Sequence, residues 1–524
     1  MTNNSQRILI RGVNWIGDAV LTIPAIRAVR TAFPNSHITL LVKPWVAGLF
    51  HESRDMDEIL LYNNSHKGIR GRFKLAGEIR KKKFDTAILL QNAFDAAFIT
   101  WLAGIPRRIG YKTDGRSLLL TEAVPIDHDI MEQHQVYYYL NLLGAVGIKA
   151  SETDPYIRLS GSERTWARNL LSSRFPDQSR PLIGINPGAA YGSAKRWPPQ
   201  RFADLTVKIL NELNGRIVIF GGQSDVGVAN EILAEINRTA KKINTETYRS
   251  HLLMMAGKTG LRELASLIAE CDVFLTNDTG PMHMASALQV PVIAIFGSTS
   301  PVRTGPFGIL HSVVSRNMPC SPCMKRECPE KHLRCMTGIN VDEVFTALQE
   351  MLPKNKAVFL DKDGTLIEDK NYLKSFDDLV IFHGVKSSLK KLKKSGFKLI
   401  CVTNQSGIAR GIVDRDFVID SNAFLQKELS LDASYYCPHH PDETCPCRKP
   451  EPMMLLKARS EHRINLKSSY VIGDKESDVM LAKNTGARGI LISSAPLFAD
   501  SCADFIANDL HDAVNWILER EQAR

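Results

Sequence analysis

Short runs of successive apolar residues recur along the chain, each followed by a stretch in which apolar and polar positions alternate with helical spacing. The runs are Arg7–Arg11, His37–Lys43, Thr86–Leu90, Leu182–Asn186, Arg216–Phe220, Val273–Thr276, Pro291–Phe296, Ala357–Leu360, Lys398–Thr403, Tyr470–Ile472 and Gly489–Ile492. A strand with one wet face alternates, whereas an unbroken apolar run suits a parallel strand covered on both faces. Repeated strand–helix alternation therefore predicts doubly wound α/β sheets. No heptad array, short repeat or low-complexity tract interrupts the pattern. Its punctuation predicts three units: 1–170, ending near the polar stretch Ser160–Arg168; 171–350, with a cysteine-rich tail; and 356–524, which follows the helical pattern Val341–Leu352 and the break Pro353-Lys354-Asn355.

The 524 residues suffice for three such cores, and 44% hydrophobic with 23% charged residues excludes a disordered chain. A net charge of +10 permits an anionic partner without naming one. The first residues lead directly into Ile8-Leu9-Ile10 without a basic segment and apolar h-region, so secretion is not expected. The apolar stretch Thr86–Ile105 is broken by Gln91, Asn92 and Asp95, and reads as strand, loop and helix rather than a transmembrane span. The expectation is a cytoplasmic protein, in which clustered cysteines suggest metal ligands before disulfides.

The strongest chemical signal is Val358-Phe359-Leu360-Asp361-Lys362-Asp363-Gly364-Thr365-Leu366. A strand delivers two carboxylates to its C-terminal end, and residues i and i+2 point the same way. Asp361 and Asp363 can then serve one site as nucleophile and general acid/base. A lone Asp-x-Asp-Gly can also be a simple turn, but three further signals follow at strand ends. Val402-Thr403-Asn404-Gln405-Ser406-Gly407 offers a hydroxyl and backbone donors for a phosphoryl group; Arg448-Lys449-Pro450 offers cations; Gly473-Asp474-Lys475-Glu476-Ser477-Asp478 offers carboxylates for Mg²⁺. Between them, Cys437, His439, Cys445 and Cys447 form a compact set suited to tetrahedral Zn²⁺, leading straight into Arg448 and Lys449.

These motifs resemble the haloacid-dehalogenase (HAD) superfamily. With the zinc loop, the resemblance over 356–495 is to the D,D-heptose 1,7-bisphosphate phosphatases. It implies that Asp361 forms an aspartyl-phosphate, that Asp363 protonates the leaving oxygen and then activates water, and that Lys449 neutralises charge. It implies Mg²⁺ on Asp361, the Asp363 carbonyl and Asp474, with Thr403 and Asn404 at the phosphoryl group and Arg410 and Arg448 on the other phosphate. The intervals Asp361–Thr403 and Thr403–Lys449, 42 and 46 residues, leave no room for a large cap. Histidinol-phosphate phosphatases share the zinc loop, so histidinol phosphate is the alternative substrate.

The first two units carry subtler signals. Ile8–Val20 reads as strand, glycine-containing loop and helix, but lacks the spacing of a dinucleotide fingerprint. Asp18 at this junction is either a helix cap or a base facing the crevice. Farther on come Ile183–Ala190, then Lys195-Arg196-Trp197-Pro198, then Phe274-Leu275-Thr276-Asn277-Asp278-Thr279-Gly280-Pro281-Met282-His283. A helix start with free N–H groups suits phosphate, and Lys195 adds a point charge. His283 reads equally as a structural histidine or a ligand.

Together with Ala103–Tyr111 and Pro322-Cys323-Met324-Lys325-Arg326-Glu327-Cys328-Pro329, these segments resemble glycosyltransferase family 9, the lipopolysaccharide heptosyltransferases, in their type II subgroup. The resemblance implies a GT-B fold of two facing Rossmann-like domains, followed by the small-cap HAD domain. ADP-L-glycero-D-manno-heptose would bind through Lys195, Asp278, Thr279, Gly280 and His283. The acceptor, heptosyl-Kdo₂-lipid A, would lie on the first domain, with Asp18 as base in an inverting displacement. The alternative is a noncatalytic sugar-nucleotide or lipid-binding module.

The basic segment Lys67–Lys83 is a solvated face or a docking face for an acceptor at the inner surface of the cytoplasmic membrane, where a peripheral location would follow. No nucleic-acid reading motif accompanies these charges, so nucleic acid is not expected. Cys320, Cys323, Cys328 and Cys335 either hold a structural metal or stay free.

Overall fold

The computed structural model describes residues 6–240, 250–308, 311–443, 445–493 and 501–523. The first five residues, on which the secretion reading partly rests, lie outside them. The chain forms two compact units, Met1–Met351 and Leu352–Arg524. Among the described residues, eighteen strands build three six-stranded sheets.

The first unit holds two of the sheets. One comprises β1 (Arg7–Arg11), β2 (His37–Val42), β3 (Glu58–Leu61), β4 (Thr86–Leu89), β5 (Arg107–Tyr111) and β6 (Glu122–Val124), in the order β3-β2-β1-β4-β5-β6. The other comprises β7 (Leu182–Asn186), β8 (Arg216–Ile219), β9 (Leu252–Met254), β10 (Val273–Asn277), β11 (Val292–Phe296) and β12 (His311–Ser315), in the order β12-β11-β10-β7-β8-β9. The second unit repeats this topology with β13 (Lys356–Leu360), β14 (Phe397–Asn404), β15 (Ala433–Cys437), β16 (Tyr470–Gly473), β17 (Arg488–Ile492) and β18 (Phe505–Ala507), in the order β15-β14-β13-β16-β17-β18. All paired strands run parallel. Each sheet thus reverses its winding between its first and fourth strands, and ligands of such sheets bind outside the strand ends at that point.

Every apolar run read from the sequence is a strand. The missed strands are β3, β5, β6, β9, β12, β15 and β18, which include all six sheet edges. An edge strand is covered on fewer sides, so its side chains need not be apolar throughout; β3, β6 and β12 contain no fully buried residue. Thr86–Ile105 is a strand, a loop and the helix Phe94–Leu102, and no helix among the described residues is long and apolar enough to cross a membrane.

The expected boundary at 170 lies within regular structure. It falls inside the helix Gly161–Arg174, which packs on the helix Leu261–Ala269 beneath the second sheet. Ser160 caps that helix in a reciprocal box with Glu163, so the helix begins ten residues before the proposed cut. The two sheets of the first unit share one hydrophobic core, running from Ile8 and Val20 through Leu171 to Met284 and Phe296.

Candidate functional sites

In the first unit, the helices Ile16–Leu21 and Gly280–Ala287 follow β1 and β10, one from each sheet, and pack against each other. Gly17 permits the approach: a Cβ there would sit 2.8 Å from the His283 ring. Asp18 therefore faces Asp278 and Lys195 across the junction of the sheets. It is not a cap. Trp15 precedes the helix, no side chain caps it, and the Asp18 carboxylate has no hydrogen bond among the described residues. Burial first, then the charge of Asp278, pushes the Asp18 carboxyl up to about 6 against the opposing pull of Lys195. A partly buried carboxylate poised near neutrality and lacking a partner has the character of a general base.

The groups opposite are held firmly. Lys195 Nζ lies 2.5 Å from Asp278 Oδ2, which also accepts a hydrogen bond from Thr299 Oγ1 at 2.6 Å. Asn277 Nδ2 donates to the Pro187 carbonyl, and its Oδ1 accepts from the Trp197 N–H, joining the strand ends to the Lys195 loop. The Thr279 hydroxyl is engaged by Asn186 at 3.2 Å. No side chain caps the helix starting at Gly280. His283 is buried, its Nδ1 has no partner, and burial lowers its pKa to about 4, so it is a neutral imidazole. All five sequence-predicted residues of this side thus lie in the segments that follow β7 and β10.

Across from them lies a cationic corner that the sequence reading passed over. Arg11, at the end of β1, is buried and donates to Asn14 Oδ1 at 3.0 Å; burial lowers its pKa to about 10, leaving it charged at neutral pH. Lys43, just after β2, has its ammonium 3.3 Å from the Tyr62 ring centroid. The Tyr62 hydroxyl donates to Asp95, which also pairs with Arg72. The available signal was a lone cation closing each of two buried strands.

In the second unit β13 delivers Asp361 and Asp363, β14 delivers Thr403, and β16 delivers Asp474. Lys449 is buried between carboxylates, with its Nζ 2.7 Å from Asp361 Oδ1, 2.6 Å from Asp478 Oδ1 and 3.0 Å from the Val402 carbonyl. Burial alone would lower its pKa, but Asp361 and Asp478 overcome this and hold it protonated above the ordinary lysine range. Asp363 is turned the other way. Its Oδ2 accepts from Gln405 Nε2 at 2.8 Å, and burial raises its pKa, the direction an acid needs. Asn404 holds the backbone of Lys449 through a 3.0 Å hydrogen bond. Arg410 is exposed, and Arg448 has a buried Nη1 without a partner. Gln405 was quoted within its motif without a side-chain role, and Asp478 only among the carboxylates offered for Mg²⁺; the structure places both at this site.

The donor sets fit the expected metals. Asp361, Asp474 and Asp478 bring carboxylate oxygens within 4.8 Å of one another, so Asp478 joins two of the predicted Mg²⁺ ligands. Burial and mutual repulsion raise Asp474 and Asp478 to about 6, and Asp474 Oδ1 is buried without a partner. Crowded, unsatisfied carboxylates of this kind suit a hard divalent cation. Gly364, at φ +87°, makes room for Asp474: a Cβ there would lie 2.4 Å from Asp474 Oδ2. In the zinc loop, Cys437 Sγ is 3.5 Å from both His439 Nδ1 and Cys445 Sγ, and Cys447 Sγ is 3.2 Å from His439 Nδ1 and 3.7 Å from Cys445 Sγ. A tetrahedron with metal–sulfur bonds of about 2.3 Å has edges of about 3.8 Å, close to these separations.

A two-lobed α/β unit with a carboxylate facing a lysine and a helix start, joined to a sheet carrying paired aspartates and a buried lysine, defines the class: a group transferase fused to a phosphohydrolase. The glycosyltransferase family 9 (heptosyltransferase) model matches residues 72–334, and a HAD-hydrolase-like model matches 446–513. Lipopolysaccharide heptosyltransferase 2 of Salmonella typhimurium is 32% identical over 66% of this chain and 99% of its own length. The D-glycero-beta-D-manno-heptose-1,7-bisphosphate 7-phosphatase of Yersinia pestis is 40% identical over 31% of this chain and 96% of its own. Among solved structures, the Escherichia coli ADP-heptose lps heptosyltransferase II covers 66% of this chain and 98% of its own at 28% identity, with a TM-score of 0.56. The chain therefore belongs to glycosyltransferase family 9 through its first unit and to the HAD-type heptose bisphosphate phosphatases through its second.

Proposed function

We propose that the first unit transfers heptose from ADP-L-glycero-D-manno-heptose to heptosyl-Kdo₂-lipid A, and that the second removes the 7-phosphate of D-glycero-D-manno-heptose 1,7-bisphosphate. The observation that carries the first activity is the unpartnered Asp18 carboxylate facing Lys195, Asp278 and the helix start at Gly280. Asp18 takes the proton of the acceptor hydroxyl as that oxygen attacks the anomeric carbon. The bond from that carbon to the diphosphate oxygen breaks, and ADP leaves beside Lys195. Asp278 and Thr299 orient Lys195, and neutral His283 offers a nitrogen to the nucleotide sugar without adding charge. Arg11 and Lys43 supply cations for an acidic acceptor.

In the second unit Asp361 attacks phosphorus, Asp363 protonates the departing sugar oxygen, and an aspartyl-phosphate results. Asp363 then takes a proton from water, whose oxygen attacks phosphorus and releases Asp361. Lys449, 2.7 Å from Asp361 Oδ1, neutralises charge as the attack proceeds. Asp361, Asp474 and Asp478 would hold Mg²⁺, which supplies charge neutralisation to the phosphoryl oxygens. The set Cys437, His439, Cys445 and Cys447 would hold a structural Zn²⁺ that fixes the loop leading to Arg448 and Lys449. Arg448 and Arg410 are left to bind the second phosphate.

A cytoplasmic, peripheral location at the inner membrane face also fits. The neighbouring helices Gly68–Lys81 and Phe94–Leu102 expose Ile69 (70%), Phe73 (54%), Phe94 (50%) and Trp101 (48%). Lys67, Arg70, Lys81 and Lys83 beside them make no ion pair among the described residues. Apolar side chains ringed by free cations match an anionic membrane carrying the acceptor.

The full chain, given ADP-heptose and defined core acceptors, should extend an acceptor bearing one heptose; ADP binding without transfer would favour the noncatalytic alternative. Given heptose bisphosphate and histidinol phosphate side by side, it should turn over the former faster. Preference for histidinol phosphate would overturn the assignment of the second unit.

A further inference from the structure

The segment Arg316–Leu333, between β12 and the short helix Arg334–Thr337, is eighteen residues without regular structure. None of its side chains is fully buried, so no hydrophobic core of its own holds it. Met324, Lys331 and Leu333 nevertheless adopt left-handed backbone at φ +57°, +54° and +50°, a conformation that costs free energy in residues with a side chain. A short irregular segment without a core is ordinarily fixed by a covalent or metal cross-link.

The chemistry for one is present. Cys320, Cys323, Cys328 and Cys335 all line a single cavity of about 20 Å³, with His332 beside them, and none forms a disulfide. The volume suits one water-sized occupant, not a multinuclear cluster. The sulfurs are spread wider than those of the Cys437 set, since no three lie within 4.8 Å of one another. Loading would draw the segment inward around the cavity.

We propose that Cys320, Cys323, Cys328 and Cys335 form a structural site for one thiophilic divalent cation, separate from both sites described above. The site has a route to the nucleotide-sugar side. Met324 N–H bonds to the Ser298 carbonyl at 2.7 Å, and the Arg326 carbonyl accepts from Ala194 N–H at 3.0 Å. Tyr191 Oη donates to the Met324 carbonyl, and the Tyr191 ring lies beneath both Arg326 and Lys195, at 5.1 and 4.6 Å. The cross-linked segment thus braces the loop that carries Lys195, and the four cysteines are positioning residues for that lysine.

The test uses the full chain with Zn²⁺ alone as probe and does not depend on any activity. Zinc-loaded protein is pulse-alkylated and mapped by mass spectrometry with and without a chelator. The four thiols should be protected at least tenfold by zinc and become labelled on chelation. Equal labelling in both states, or labelling that appears only after a disulfide reductant, overturns the proposal. Independently, Cys320→Ser/Cys323→Ser should lower bound zinc by one per chain whether or not the Cys437 set is intact, and unchanged zinc would overturn it. If the site braces Lys195, the same variant should also raise KM for ADP-heptose more than it lowers kcat. That arm alone rests on the proposed transfer, so its failure with zinc lost would sink the bracing role and leave the metal site standing.

Discussion

Asp18→Asn separates a catalytic base from a structural aspartate by the sign of its effect on stability. In the folded protein the Asp18 carboxyl moves from 3.8 up to about 6, so its ionised form is disfavoured by folding. At about 1.4 kcal/mol for each tenfold change, that displacement corresponds to about 3 kcal/mol, and solvent reaching the carboxylate reduces it to about 1–2 kcal/mol. An acid whose pKa rises on folding costs stability fully above the folded value, and the cost fades as pH falls toward the unfolded value. Asparagine removes the cost but also forfeits a favourable charge near a helix start, worth about 0.3–1 kcal/mol. The net expectation is a first unit more stable by on the order of 1 kcal/mol at pH 7.5, with the gain shrinking between pH 6 and pH 4. Urea unfolding followed by tryptophan fluorescence reads this directly, because five of the six tryptophans lie in the first unit. The same variant should transfer no heptose while binding ADP almost normally. In the wild type, kcat/KM for transfer should fall at pH 5 to about one-tenth of its plateau, whereas a carboxyl at 3.8 would keep over about nine-tenths. A variant destabilised by about 0.5–2 kcal/mol, as loss of a cap would cause, or one that still transfers, refutes the reasoning.

Three further outcomes follow from the second unit. Lys449→Met leaves Asp361 and Asp478 facing each other without their cation, so phosphatase turnover should vanish and β13 and β16 should lose on the order of 3–5 kcal/mol of hydrogen-exchange protection; unchanged protection would show that the pair does not depend on the lysine. Gln405→Ala frees Asp363 from the Gln405 amide, and kcat should drop on the order of 10- to 100-fold with KM changed by less than about twofold; a pure KM effect would place Gln405 at the substrate instead. Stripping zinc from the full chain should slow phosphate release by loosening the loop into Arg448 and Lys449, with recovery on adding zinc back; a zinc-free protein at full rate would make that set dispensable.

The residues that were legible in the sequence are those whose neighbours are local. Asp361 and Asp363 declare themselves because a strand places i and i+2 on one side. The Cys437–Cys447 loop does so because its ligands lie within eleven residues. The apolar runs of the inner strands were visible because burial on both faces leaves no polar position. Edge strands such as Glu58–Leu61 and His311–Ser315 carried no such mark, since half their surface faces solvent or loops.

What the sequence could not determine depends on distances between segments far apart in the chain. That Asp18 faces Asp278 and Lys195 instead of capping its helix became visible only once Gly17 brought its helix against His283, some 260 residues away, near enough for Asp278 and Lys195 to shift its carboxyl. The same holds for Lys449, whose neighbours Asp361 and Asp478 come from the end of β13 and the helix after β16, on either side of a topological reversal, and for Arg11 and Lys43, which look like ordinary strand-end cations until the sheet sets them side by side. A side chain's type and local spacing fix what chemistry it can perform. Its ionisation and its partners depend on burial and on charges within a few ångströms, and only the tertiary fold sets those.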